Sequence, residues 1–189
     1  MSRTAVSHRL ATTEDSVFLA DLWQHNLRRA DPQDQAADLE LVIKSCEESP
    51  EQRLVIAEYD GEPAGAVLLT VTTLSPINLE PVVEAIAPFV DPRFRRRGVG
   101  HTLMEAAVLY AEELGISHLA TGVASSSRSS NRFMARLGFG PQALLRVAGT
   151  AVVRNKLNTQ LPGRTRALGT RPVNQVLAAR RSLRRNQEG

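Results

Sequence analysis

The reading turns on one stretch: Phe89-Val90-Asp91-Pro92-Arg93-Phe94-Arg95-Arg96-Arg97-Gly98-Val99-Gly100-His101. Before it, the apolar run Val82 to Val90 predicts a strand, although Pro88 inside that run cannot donate a ladder hydrogen bond. After it, Val99, Leu103, Ala107, Tyr110 and Leu114 recur on one helical face, which predicts a helix from about Gly98 to Leu114 with Gly115 as its stop. Glycines at 98 and 100 admit a ligand close to the backbone. Unpaired N–H groups at a helix start, at the positive end of its dipole, suit an anion such as pyrophosphate. Arg93, Arg95, Arg96 and Arg97 add charge for further phosphates. The alternative is a solvated arginine-rich turn, but strand, turn and helix agree on a phosphate loop.

Two nucleotide folds do not fit. Gly-Lys-Ser/Thr, which a triphosphate loop needs, is absent. Gly98-Val99-Gly100 begins like a dinucleotide fingerprint but lacks the third glycine, and no acidic residue closes the strand around Leu119 to Val123.

Working outward, His8 to Ala11 reads as a short strand. A helix follows Thr12-Thr13-Glu14-Asp15 and carries Val17, Leu19, Leu22, Trp23 and Leu27 to about Arg29. Asp31-Pro32 breaks it and Ala36 to Glu47 resumes a helix. Arg53 to Tyr59 and Ala64 to Thr73 flank the turn Asp60-Gly61-Glu62-Pro63 as a hairpin. Ser75 to Asn78 reads as loop, His118 to Val123 as strand, Ser129 to Leu137 as helix and Leu144 to Val147 as a further strand. The fold class is therefore α+β, with a mixed, mostly antiparallel central sheet flanked by helices and a basic C-terminal extension.

The 189 residues suffice for a real core without staples, and apolar and charged fractions of 42% and 23% argue against global disorder. The single cysteine, Cys46, excludes an internal disulfide framework and suits a cytoplasmic location. The four histidines show no metal-ligand spacing, so no metal is expected. Apolar runs fall short of the ~20 residues of a membrane span, and Met1 to Leu10 lacks the apolar core of a signal peptide.

Arg95-x-x-Gly98-x-Gly100, preceded by Val90-x-Pro92, resembles the acetyl-CoA pyrophosphate loop of the GNAT superfamily of N-acetyltransferases. Arg9-Leu10-Ala11-Thr12 with Asp15 is similar to that family's first strand and helix start. The hairpin through Asp60-Gly61-Glu62-Pro63 with Gly65-Ala66, and Phe133-Met134-x-x-Leu137-Gly138-Phe139, resemble later landmarks in the family's order. The resemblance spans about Arg9 to Leu157. It implies that Arg95, Arg96, Arg97, Gly98, Val99, Gly100 and His101 hold the pyrophosphate of acetyl-CoA, the co-substrate, with an arginine of 93–97 near the 3′-phosphate. It further implies that Phe89 and Val90 pair with the pantetheine arm as an added strand, and that Pro88 accompanies a splay between strands that admits it.

Acetyl transfer to an amine needs a base for the amine proton and an acid for the leaving thiolate. Glu84, six residues before Val90, matches a frequent family carboxylate that acts through water. Its alternative is an outward-facing strand charge. Met134 stands where many members carry a tyrosine, and a thioether donates no proton. Ser127 occupies the position of a common asparagine, and its hydroxyl, or water, is the candidate acid. Met134 itself reads as core packing.

The net charge of +3 hides an asymmetry. Residues 154–189 hold nine Lys and Arg against one Glu, a net +8, while the first 153 residues hold fourteen against nineteen, a net −5. Val173 to Arg185 is compatible with a basic helix. Self-docking or a homodimer contact, nucleic acid and disorder all remain open for this tail. Expected, then, are a domain over 1–157, a basic linker and helix over 158–189, and a cytoplasmic N-acetyltransferase. Its acceptor is a small-molecule amine, a peptide N-terminus or a lysine, reached in a ternary complex; no membrane partner is expected, and nucleic acid only through the tail. The rival is a catalytically weak acyl-CoA-binding module whose tail engages nucleic acid or a protein.

Overall fold

A computed structural model describes residues 5–143 and 145–160. The chain divides after Gly140 into two units. The first carries a five-stranded sheet in the order β1 (Val6–Leu10), β2 (Gln52–Tyr59), β3 (Glu62–Ser75), β4 (Asn78–Val90), β5 (Leu119–Thr121). The first four are antiparallel neighbours, and β5 joins β4 in parallel. This is the expected mixed, mostly antiparallel α+β architecture.

Side chains alternate between the two faces of each strand, so each face needs its own cover. Val67 and Leu69 of β3 and Val83 and Ala85 of β4 pack with Val99, Leu103, Ala107 and Tyr110 of α3 (Val99–Glu113). Leu54 and Ile56 of β2 and Ala66 of β3 pack on the opposite face. There they meet Leu19 and Leu22 of α1 (Ser16–Leu22), Trp23, and Leu39 and Ile43 of α2 (Pro32–Glu48). Leu114, expected on the α3 face, is exposed because the helix ends at Glu113 and Gly115 turns the chain at φ 68°.

Arg9 pins β1 to the start of α1. Its guanidinium donates twice to Asp15 (2.7 and 2.8 Å) and from Nε to Glu58 of β2 (2.6 Å). The buried Asp15 carboxylate also accepts the Thr12 amide at 2.8 Å, which fixes the turn into the helix.

Three local expectations change. The first helix stops at Leu22, not Arg29, because the chain turns at Trp23, whose carbonyl accepts from the amides of Asn26 and Leu27. α2 begins at Pro32 rather than Ala36, since Asp31 caps the amides of Gln33 and Asp34 and proline is suited to the first helical position. Leu144 to Val147 forms no strand among the described residues: a strand needs a ladder partner, and Leu145 and Val147 are exposed. The stretch 75–78 is the tight end of a β3–β4 hairpin, with Ser75 opposite Asn78.

The second unit, taken by itself, contains α5 (Thr150–Gln160), started by the Gly149 carbonyl accepting from Val152 and Val153 amides. The expected tail helix Val173 to Arg185 lies outside the described residues. No helix among the described residues is long and apolar enough to cross a membrane.

Candidate active site

The site is built around the last residues of β4. β4 and β5 pair only through Val83–Leu119, Glu84–Ala120 and Ala85–Thr121. Thr121 closes the pairing with its side chain, Oγ1 donating to the Ala85 carbonyl at 2.8 Å. From Ile86 to Val90, β4 has no β5 partner, which leaves a gap at that edge.

On the other side, β4 stays paired with β3 but carries one extra residue. Leu68 opposes Ile86 and Ala66 opposes Phe89, so a bulge lies at Ala87 and Pro88. Ala87 takes a left-handed φ of 46°, and its carbonyl accepts from Trp23 Nε1 at 3.0 Å. Trp23, which the sequence shows on an apolar helical stripe, packs in the core and has this second role as well.

Beyond Val90 the chain crosses to α3. Asp91 caps a short turn by accepting the Arg93 amide at 2.8 Å, and its own amide donates to the Ala64 carbonyl. Phe94 is buried, 5.6 Å from the Tyr59 ring. Arg97 lies over that same ring at 4.9 Å, and Arg93 reaches Glu62 at 3.0 Å. The β2–β3 hairpin thus anchors the loop at three points. Arg93 also forks onto Asp91, which holds the Asp91 carboxyl below its usual range and raises the arginine. Arg93 is therefore committed to carboxylates, whereas Arg95 and Arg96 make no ion pair among the described residues.

Arg96 and Gly98 both turn left-handed, at φ 61° and 93°. The consequence is a run of amides, Arg95 to Gly100, that find no protein acceptor among the described residues; the first N–H to do so is His101, on the Gly98 carbonyl at 2.8 Å. These amides sit at the N-terminal end of α3, beside exposed arginines. A Cβ built on Gly100 would lie 3.7 Å from Val90 Cγ2 and 3.5 Å from the Phe133 ring, so the end of β4, the start of α3 and α4 (Arg128–Arg136) converge there. His101 is exposed and meets Phe133 edge-on at 5.1 Å. An anion with a thin extended arm fits both features, one end on the amides and the arm along the uncovered edge of β4.

Gly65, which the sequence marks as a glycine inside a strand and as part of the hairpin landmark, has a positioning role. It opposes Val90, and a Cβ there would sit 2.7 Å from the Phe89 carbonyl and 3.1 Å from Val99 Cγ1. Its bareness lets α3 close onto the sheet beside the loop.

Glu84 lies opposite Thr70 of β3 and Ala120 of β5, half-buried, on the face away from Val83 and Ala85. Its carboxylate makes no hydrogen bond among the described residues, while its backbone joins the β3 and β5 ladders. Ser127 sits at the turn into α4, where its hydroxyl donates to Ser130 Oγ at 2.8 Å. Asn131 clamps that turn by donating to the carbonyls of Ala124 (3.0 Å) and Ser127 (2.7 Å). Met134 is buried in the core beneath α3. Gly138, left-handed at φ 91°, ends α4, and the Phe139 amide returns to the Met134 carbonyl at 3.1 Å.

The chain matches the acetyltransferase (GNAT) family over residues 18–139. An uncharacterized N-acetyltransferase of Methanocaldococcus jannaschii is 34% identical over 89 residues, which cover 47% of this chain and 39% of that protein. The chain thus spans about two-fifths of that relative's length. Among solved structures, an aminoglycoside N-acetyltransferase in complex with CoA superposes with a TM-score of 0.65 at 19% identity, covering 79% of this chain and 98% of the other. A transcriptional regulator from Bacillus halodurans gives 0.64 at 18% identity, with 77% and 99% covered. Family match, sheet order and the loop between β4 and α3 agree, and the chain belongs to the GNAT acetyltransferase family.

Proposed function

We propose that the protein is an N-acetyltransferase that moves the acetyl group of acetyl-CoA directly to a primary amine in a ternary complex. The observation that carries this reading is the run of unpaired amides from Arg95 to Gly100 beside the uncovered edge of β4. In this reading the amides of Arg95 to Gly100 take the pyrophosphate, and His101, whose amide is bonded to Gly98, offers its exposed side chain. Arg95 and Arg96, which lack carboxylate partners among the described residues, are better suited to the 3′-phosphate than Arg93. Phe89 and Val90 offer backbone groups to the pantetheine arm.

The amine nitrogen then attacks the thioester carbonyl, the C–S bond breaks, and the thiolate leaves with a proton. Glu84 is the proposed base, taking the amine proton through water from its half-buried place on β4. Ser127 or a water supplies the thiolate proton. The acceptor is a small-molecule amine, a peptide N-terminus or a lysine.

A second reading, an acyl-CoA-binding module with weak turnover whose basic tail engages another macromolecule, is favoured by the burial of Met134. That position offers no proton donor. Thiol release over an amine panel separates the two. The first reading expects turnover that Glu84→Gln lowers by about 100-fold, within the range for general-base removal. Binding of acetyl-CoA without turnover on any amine establishes the second.

A further inference from the structure

We infer that Trp23 is a positioning residue for acyl-CoA: its indole N–H latches the β4 bulge and sets which backbone groups β4 shows along its uncovered edge. The inference rests on the acyl-CoA reading above.

Ala87 is one of three non-glycine residues with positive φ among those described, a conformation that alanine adopts only when its surroundings enforce it. The extra residue lies between the Leu68–Ile86 and Ala66–Phe89 pairs. The Ala87 carbonyl turns instead to Trp23 Nε1 at 3.0 Å. Trp23 is itself buried, in the cluster formed by α1 and α2. Its ring therefore holds a fixed donor over the bulge. Two residues earlier, the Thr121 hydroxyl takes the Ala85 carbonyl. β4 is thus held from outside the β3 ladder on both sides of Ile86.

The bulge matters because side chains alternate along a strand. If it closed, β4 would slip by one residue against β3, and everything beyond Ile86 would exchange faces. Val90 now joins the core on the α3 side, and Phe89 packs on the α1 and α2 side. An exchange would carry Val90 away from Gly100 and reorient the amides and carbonyls of the open edge. The latch preserves that edge.

Trp23 is the only tryptophan of the chain, so its indole N–H signal reports on the latch alone. The full-length protein is titrated with CoA by calorimetry, alongside Trp23→Phe and Trp23→Phe/Ala87→Gly. Phenylalanine keeps an aromatic ring but loses the donor. We expect the single variant to bind CoA about five-fold more weakly, the effect of one hydrogen bond, and to raise KM for acetyl-CoA more than it lowers kcat. The double variant should recover most of the affinity, since glycine adopts positive φ without a latch. In the wild type, the indole N–H should exchange slowly with solvent, as a donor held in a hydrogen bond does.

Wild-type affinity in a folded Trp23→Phe protein overturns the latch alone. So does a double variant no tighter than the single one, which would make Trp23 core filling only. If Trp23→Phe does not fold, the wild-type indole N–H is followed by NMR, and exchange with solvent as fast as that of a free indole overturns the latch. Absence of CoA binding in the wild type overturns the acyl-CoA reading, and this inference with it.

Discussion

Thr121 Oγ1 donates to the Ala85 carbonyl at 2.8 Å, at the last register pair joining β5 to β4. A side chain, not a backbone group, makes this contact where the two strands part. Replacing Thr121 with valine keeps the shape and removes the donor. The loss is about 1 kcal/mol, a fall in Tm of roughly 2–4 °C for a chain of this size. Thermal melts followed by circular dichroism measure it; an unchanged Tm would mean that the bond contributes nothing.

Gly65 leaves no room for a methyl group. Its Cβ would stand 2.7 Å from a backbone carbonyl of β4, which cannot move without shifting the ladder. Gly65→Ala is expected to destabilise by about 1–3 kcal/mol, as overpacking of a tight interior does. Chemical denaturation reads this directly. Gly61, where nothing lies within 4 Å but φ is 81°, should show the smaller cost of backbone strain alone.

At low pH the Arg9–Asp15 pair should lose its contribution to stability. Burial pushes the Asp15 carboxyl up, but the Arg9 guanidinium and the Thr12 amide outweigh it and hold the group below its ordinary 3.8. In the unfolded chain that carboxyl takes a proton sooner. Its contribution is therefore complete above the unfolded value and is lost as pH falls through the lower, folded one. Asp15→Asn should cost about 2 kcal/mol at pH 7, with the gap from wild type narrowing below about pH 4. Melts from pH 7 to pH 3 follow the gap, which should not widen on acidification.

The loop glycines separate backbone strain from ligand exclusion. Gly98 is left-handed, so Gly98→Ala should lower stability by about 1 kcal/mol. A Cβ at Gly100 meets only ordinary protein contacts, so Gly100→Ala should leave stability near wild type while weakening acetyl-CoA binding, because the bare backbone there lets the ligand approach. A glutamate there sets a carboxylate among the amides meant for pyrophosphate and should abolish binding without changing the melt. Calorimetric titration of the three variants distinguishes these outcomes.

The strand, basic turn and helix from Val82 to Leu114 were legible because each rests on local signals: an apolar run, two glycines and a helical period. Of the antiparallel pairings, only the β2–β3 hairpin followed from turn residues at short spacing; β1 meets β2 across two helices. What escaped the sequence is long-range. Trp23 continues an apolar helical stripe, and only the folded chain brings its N–H to a carbonyl 64 residues away. The bulge that it meets was hinted at by Pro88 alone. Asp31-Pro32 breaks the preceding helix and also carries a helix-start signal, an N-cap followed by proline at the first helical position. Leu144 to Val147 shows the converse, a strand-like pattern without a partner among the described residues. Glu84 and Ser127 stand in sequence where the family resemblance puts them.

The central claim is that the amides from Arg95 to Gly100 and the open edge of β4 bind acetyl-CoA. Calorimetric titration of the full-length protein with acetyl-CoA, run beside Gly100→Glu, tests it most directly. The account predicts saturable one-to-one binding in the wild type and none in the variant. No binding in the wild type, or equal affinity in a folded Gly100→Glu protein, would contradict it.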